Sequence, residues 1–226
     1  MNIFFTKGLI FSSFVCFLLL IGAVNIYQPS IIKSDGSGSF KLSYFTSDSN
    51  IAKTTVMGNY GFTEGEAQTN FTSENTEVKS VKIFNDKDKG MTHMVLEIDF
   101  KDINKISEAK GFSDIRASWV ETDSGMVFQW VILKNLAQLN LIGELIYIFT
   151  FDGANTIISP NGAIKDNTAT WALNTKNTDF TKDVILTATV KSDKKNKSCG
   201  SAGIELPIVI LFGLMISYSF RKSKIQ

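Results

Sequence analysis

The stretch Met91–Phe100, "MTHMVLEIDF", decides how this chain folds. Met94, Leu96, Ile98 and Phe100 share one side of a two-residue period. His93, Glu97 and Asp99 share the other, with Val95 among them. Successive side chains of an extended strand point to opposite faces, so the pattern predicts one packed face and one wet face. A strand of that kind belongs to an antiparallel sheet layered on helices or on a second sheet.

Working outward, Val78 to Phe84 reads as the hairpin partner of this strand, joined through "NDKDKG" with Gly90 free to take a positive φ. The same hexapeptide invites comparison with a calcium loop. Setting Gly90 at the sixth position puts Lys87 where an oxygen ligand is required, so it is a turn. Ile115 to Glu121 and Met126 to Leu133 form a second hairpin across Asp123, Ser124 and Gly125. Leu141 to Phe151, Thr168 to Leu173 and Val184 to Val190 are later strands, and Ser39 to Thr46 begins the set. Two short helices join them. Asp102 to Lys110 opens on an acidic cap, spaces Ile103 and Ile106 by three, and stops at Lys110 and Gly111. A second lies near Glu64 to Thr72. The expected fold class is α+β, a mainly antiparallel β-sheet with one or two short helices, plus a C-terminal transmembrane helix.

The two ends place this domain. Lys7 is the only charge before Lys33, and Leu9 to Val24 is apolar, which is the pattern of a secretory signal over 1–24. A cut after Ala23 suits Ile21, Gly22 and Ala23, and an uncleaved signal anchor is the alternative. At the other end Ile204 to Phe220 is apolar apart from Glu205, and Arg221, Lys222 and Lys224 follow. Such a segment gives roughly 25 Å of helix, near the span of a hydrocarbon core once the terminal bases snorkel. Both basic clusters then lie on the cytoplasmic side. The expected order is signal 1–24, linker 25–38, extracytoplasmic domain 39–191, linker 192–203, membrane helix 204–220 and cytoplasmic tail 221–226. The expected location is the cell membrane, with a single C-terminal span and the main domain outside.

Charge and cysteine use narrow the partners. Ile26 to Ser198 carries 19 lysines and arginines against 21 acids, a net charge near −2. That balance argues against nucleic acid, which asks for a basic footprint. After signal removal Cys199 is the one remaining cysteine, so no internal disulfide forms. The order Cys-Gly, small residues, apolar run and basic end resembles the cysteine-containing sorting tails of prokaryotic surface proteins, of the Cys-Gly-Pro and Myxo types. That resemblance implies processing or lipidation at Cys199. Ser201 stands where the Cys-Gly-Pro type has proline, and a bystander cysteine in a linker is the other reading. Asn70 and Asn196 each begin an Asn-x-Ser/Thr acceptor for glycosylation.

Chemistry is sparse. His93 is the single histidine, so a zinc site would have only carboxylates to complete it. No Gly-x-Ser-x-Gly elbow occurs. Glu97 and Asp99 share a strand face about 7 Å apart, a separation used by inverting glycosidases, but any amphipathic strand produces it. No metal or cofactor is expected, and no catalytic residue. The aromatic residues Trp119, Phe128, Trp130, Tyr147 and Trp171 all lie in expected strands. They are either ordinary β core or the lining of an apolar groove that takes an acyl chain or a partner strand.

Three stretches carry a family resemblance: "GSGSFKLSYF", then "LEIDFKDINKI", then "IISPNGAIKDNTATWALN". They resemble the LppM-type domain of bacterial envelope proteins, through Gly36 and Gly38, Phe100 and Asp102, and Pro160, Asn161, Gly162, Thr170 and Trp171. The resemblance spans Gly36 to Val190 and implies a membrane-attached β-rich domain, in one case linked to envelope glycolipid binding. Members commonly carry an N-terminal lipid on cysteine. Here Cys16 follows Phe14 and Val15, too bulky for that processing. The expected function is a non-catalytic, membrane-anchored surface domain that binds a lipid-like envelope ligand or an envelope protein. A structural or adhesive surface protein, or an extracytoplasmic hydrolase, would be the alternatives.

Overall fold

The computed structural model describes residues 24–53, 56–134, 142–159 and 161–191. The expected membrane helix 204–220, the basic tail, Cys199, Asn196, Pro160 and nearly all of the signal lie outside the described residues. Among the described residues no helix is long and apolar enough to cross a membrane.

Among the described residues, thirteen strands form two main sheets and a small ribbon. The larger sheet has seven strands in the order β11–β12–β9–β1–β2–β6–β5. These are β1 (Val24–Ile32), β2 (Gly38–Ser47), β5 (Thr76–Asp86), β6 (Met91–Phe100), β9 (Ile142–Phe151), β11 (Ala163–Lys165) and β12 (Thr168–Asn174). The second sheet runs β10–β13–β8–β7, built from β7 (Ile115–Thr122), β8 (Gly125–Ile132), β10 (Thr156–Ile158) and β13 (Val184–Lys191). β3 (Val56–Met57) and β4 (Tyr60–Gly61) make the ribbon. Every pairing is antiparallel except β1 with β9, which is parallel. A parallel neighbour requires a long crossover, and the whole of β2 to β8 lies between these two strands.

The "MTHMVLEIDF" strand behaves as its alternation predicts. Met94, Leu96 and Ile98 are fully buried and Phe100 nearly so, while Glu97 and Asp99 are exposed. The β5–β6 hairpin closes at Asp86, whose carboxylate accepts from the Lys89 amide at 3.2 Å, and Gly90 takes φ +60°. The two expected helices are present in shortened form. Glu64–Phe71 is an α-helix, α2, preceded by the single turn α1 (Asp48–Ile51). α2 starts with a capping box: Glu66 N–H donates to Thr63 Oγ1, and Thr63 N–H donates back to the Glu66 carboxylate. Ile103–Glu108 is 3₁₀ rather than α, because Asp102 caps it through the Asn104 amide and only two apolar residues, Ile103 and Ile106, anchor it.

One expectation is overturned. The stretch 25–38 was predicted to be a linker, and Val24–Ile32 is instead the central strand of the large sheet. Pro29 explains a local irregularity in this strand. Proline donates no ladder hydrogen bond and is rarely central in a sheet. The β1–β2 ladder accordingly passes from Tyr27–Ser43 to Ser30–Phe40 and skips Gln28 and Pro29.

The core lies on the inner face of the large sheet. Part of that face packs against the second sheet, where Phe128 meets Phe149 at 4.6 Å and Trp119 stacks on Phe151 at 5.6 Å. The rest is covered by α2, the 3₁₀ turns and the ribbon, with Phe71 on Phe112 and Phe62 on Tyr44 at 5.1 and 5.2 Å. Burying so many aromatic rings is the main favourable term for a fold of this size.

Candidate functional site

All five aromatic residues singled out from the sequence face the same interior. β7 and β8 bring Trp119, Phe128 and Trp130 from one sheet, and β9 and β12 bring Tyr147 and Trp171 from the other. Trp130 sits at the centre, 5.2 Å from Phe149, 5.8 Å from Tyr147 and 5.9 Å from Phe40, ring to ring. Trp171 meets Phe149 edge-on at 6.0 Å. The five side chains are packed against one another and their neighbours, and none of them lines the depression on the outer face of the large sheet or the one around 175–181.

This interior is not wholly apolar. Gln28 and Ser30 project into it from β1 and are 2% and 3% exposed. Gln28 aligns with Tyr147 on β9, and Ser30 aligns with Phe149 on β9 and with Phe40 on β2. These flanking residues are the ones Trp130 touches. The two polar side chains satisfy each other only weakly, through Gln28 Nε2 to Ser30 Oγ at 3.5 Å and Ser30 Oγ to the Gln28 carbonyl at 3.3 Å. Trp130 Nε1 is buried without a hydrogen-bond partner, and no other buried side-chain nitrogen or oxygen among the described residues is left so. Burial pushes the Tyr147 phenol well above its usual range. The Trp130 N–H leans toward it and eases that shift without reaching hydrogen-bond geometry. Leaving such a group unpaired costs about 1–3 kcal/mol.

Sequence reasoning missed Gln28 and Ser30. The signal was there in "YQPSII", two polar residues at the inward positions of an alternating run, hidden by the proline between them.

The motif residues of the family resemblance do structural work. Asn161 ties the two sheets together. Its Oδ1 accepts from Trp171 Nε1 at 2.9 Å, and its Nδ2 donates to the Ile185 carbonyl at 2.6 Å. A Cβ at Gly162 would stand 2.7 Å from the Trp171 ring. Gly36 takes φ +83° in the β1–β2 turn beside Trp119, whose Nε1 donates to the Ser34 carbonyl at 3.2 Å.

The outer face of the large sheet is different in kind. Pro29, Ile31, Ser39, Lys41, Lys79, Glu97 and Asp99 border a shallow depression of about 470 Å³ there, at the place where Pro29 interrupts the ladder. Lys79 lies 2.7 Å from Glu77 and 3.9 Å from Asp99. Lys101 donates to the Glu74 carbonyl at 2.8 Å. His93 does not join the depression. It is stacked between Phe45 at 4.8 Å and Phe84 at 4.6 Å, and burial lowers its pKa. Glu97 and Asp99 thus border the depression and His93 stands apart from it. Among the described residues no three of His, Cys, Asp and Glu gather as a metal site.

Asn70, the other expected glycosylation acceptor, is 4% exposed, and its Nδ2 donates to the Asn59 carbonyl at 3.0 Å.

No protein-family profile matches the chain, and no curated protein matches it by sequence. Among solved structures, the NMR structure of the folded domain of LppM from Mycobacterium tuberculosis is similar, at 13% identity and a TM-score of 0.48. The match covers 78% of this chain and 95% of that one. The likeness is one of chain fold, and at that score it carries no inference about ligand or site.

Proposed function

We propose that this chain is a non-catalytic domain of the cell envelope, carried outside the membrane on the apolar segment 204–220, that binds a lipid-like ligand between its two sheets. One observation carries the reading: a large aromatic interior that retains Gln28, Ser30 and an unpartnered Trp130 N–H. A core needed only for stability gains nothing from an orphaned donor. An apolar molecule with an ester or similar carbonyl would satisfy it, with Trp119, Phe128, Trp130, Tyr147 and Trp171 around the chain. Entry requires the sheets to part along β8 and β9.

Native mass spectrometry of the full chain, purified from membrane extract without harsh delipidation, tests this. A reproducible extra mass that disappears on solvent extraction is expected. A bare chain mass under the same conditions sinks the reading and leaves the alternative of a structural or adhesive surface protein.

A further inference from the structure

The rings on the outer face of the large sheet form a row that stops at an open edge. Phe45 on β2, His93 on β6 and Phe84 on β5 are aligned partners in the ladder, and the two ring-to-ring steps are 4.8 and 4.6 Å at 23° and 6°. β5 is the last strand of the sheet, and Phe84 is 51% exposed with nothing stacked on its far side among the described residues. Its neighbour Ile83 is 44% exposed. A long edge strand with apolar side chains is a template for another strand. The first half of β5 is guarded by the bulge at Lys79, a common device against such pairing, but 82–86 is regular.

We propose that β5 pairs with β5 of a second copy of this chain, antiparallel, about a two-fold axis through Phe84. The register follows from the residues. Ser80, Lys82, Phe84 and Asp86 share the outer face, because their partners Glu97, Val95, His93 and Met91 do. Only same-face residues can stand opposite one another, so the axis must pass through a residue. Centred on Lys82, two ammonium groups would meet, and centred on Ile83 or Asn85, each Phe84 would stand opposite Lys82 or Asp86 rather than a ring. Centred on Phe84, Lys82 of each copy stands opposite Asp86 of the other, and the two phenylalanines face each other. The ring row then runs without a break as Phe45, His93, Phe84 and the same three rings of the second copy. Asp86 already holds Lys89 at 3.2 Å, an exposed pair that a facing Lys82 would join as a second cation. Pairing spans five residues, so the dimer is weak and concentration-dependent.

Single cysteines on the full chain in detergent test the register, in a background carrying Cys16→Ser and Cys199→Ser. Residues opposite one another in an antiparallel pair have Cα atoms about 4.5–5.5 Å apart, whereas positions 82 and 82 of the two copies would be offset by four residues, roughly 13 Å. A disulfide tolerates about 7 Å, so Phe84→Cys should cross-link at least about tenfold faster than Ser80→Cys, Lys82→Cys or Asp86→Cys. Sedimentation velocity of the chain without cysteine changes should show a dimer that Phe84→Lys removes and Val120→Lys, on the edge of the other sheet, does not. Fastest cross-linking at any other of the four positions, no cross-linking at all, or self-association indifferent to Phe84→Lys would each overturn the proposal.

Discussion

The two faces of the seven-stranded sheet are made by the same strands and have opposite characters. On the inner face, alternate residues of β1, β2, β6 and β9 are buried under the second sheet and the helices, and the exceptions to apolarity are Gln28 and Ser30 among the aromatic rings and Thr46 and Thr92 at the far end of β2 and β6. On the outer face the same strands present Tyr27, Ile31, Lys41, Glu97 and Asp99 to solvent, with the Phe45–His93–Phe84 row at one side. The inner face determines the fold, so the polar groups buried on it stand out, Trp130 Nε1 most of all. The outer face is free of that constraint, so its apolar residues ask for a partner surface. Identical chemistry carries different weight on the two sides.

The sharpest way to break the contrast is to make one substitution on both faces. Phe149→Ala should destabilise the chain by about 3–5 kcal/mol, because it empties the contact with Phe128, Trp130 and Trp171. Phe84→Ala on the outer face should cost less than about 1 kcal/mol. Denaturant unfolding of both variants measures the difference, and similar values would show that the interior is not close-packed.

Next in size is the tie between the sheets. Asn161→Ala removes the acceptor of Trp171 Nε1 and the donor to Ile185, and should cost about 1–3 kcal/mol. Indole fluorescence should shift with it, since Trp171 loses its partner. A loss confined to a few tenths would mean that Asn161 merely fills a turn.

Away from both faces, Thr63→Ala should cost about 1 kcal/mol by removing the cap of α2, with Thr63→Ser restoring it. That value calibrates the others, because the cap touches neither the interior nor the ring row.

The smallest expected effect is on the outer face and depends on pH. Burial between two rings lowers the His93 pKa below its ordinary 6.5, with Asp86 pulling it up and Lys89 pushing it down. As pH falls, the unfolded chain takes up its proton first. Stability is therefore full above about 6.5 and declines on acidification toward the lower folded value. Thermal unfolding at pH 7.5 and 5.5 should show the drop, and His93→Phe should lose it while keeping the stack. Asp35, Asp86 and Asp179 are held below the usual carboxylate range by hydrogen bonds from Ser37, Lys89 and Thr181, so their contribution falls away at more acidic pH.

Legibility in the sequence followed the same division. β6 and its hairpin partner could be read because Met94, Leu96, Ile98 and Phe100 keep one face apolar while His93, Glu97 and Asp99 mark the other, and the later strands share that alternation. α2 could be placed only roughly, near Glu64 to Thr72, although Thr63 and Glu66 spell the capping box that starts it. β1 could not, since "KSDGSGS" just after it reads as linker by composition, and its own alternation is masked by Gln28 and Ser30 at inward positions and Pro29 at its centre. The five aromatics were legible as a set because strand parity turns them all inward. Their convergence on β1 was not, because the parallel pairing of β1 with β9 joins segments more than a hundred residues apart. The row of Phe45, His93 and Phe84 lay between these cases. Once the β5–β6 register is known, His93 and Phe84 must be opposite.

The claim that the interior holds a ligand through its polar atoms is tested most directly by comparing three full-length chains purified in parallel from membranes: unaltered, Gln28→Leu and Phe84→Lys. The quantity to measure is solvent-extractable mass per chain. The account predicts equal amounts with the unaltered chain and Phe84→Lys, and about tenfold less with Gln28→Leu. Equal amounts in all three, or a loss with Phe84→Lys alone, would contradict it.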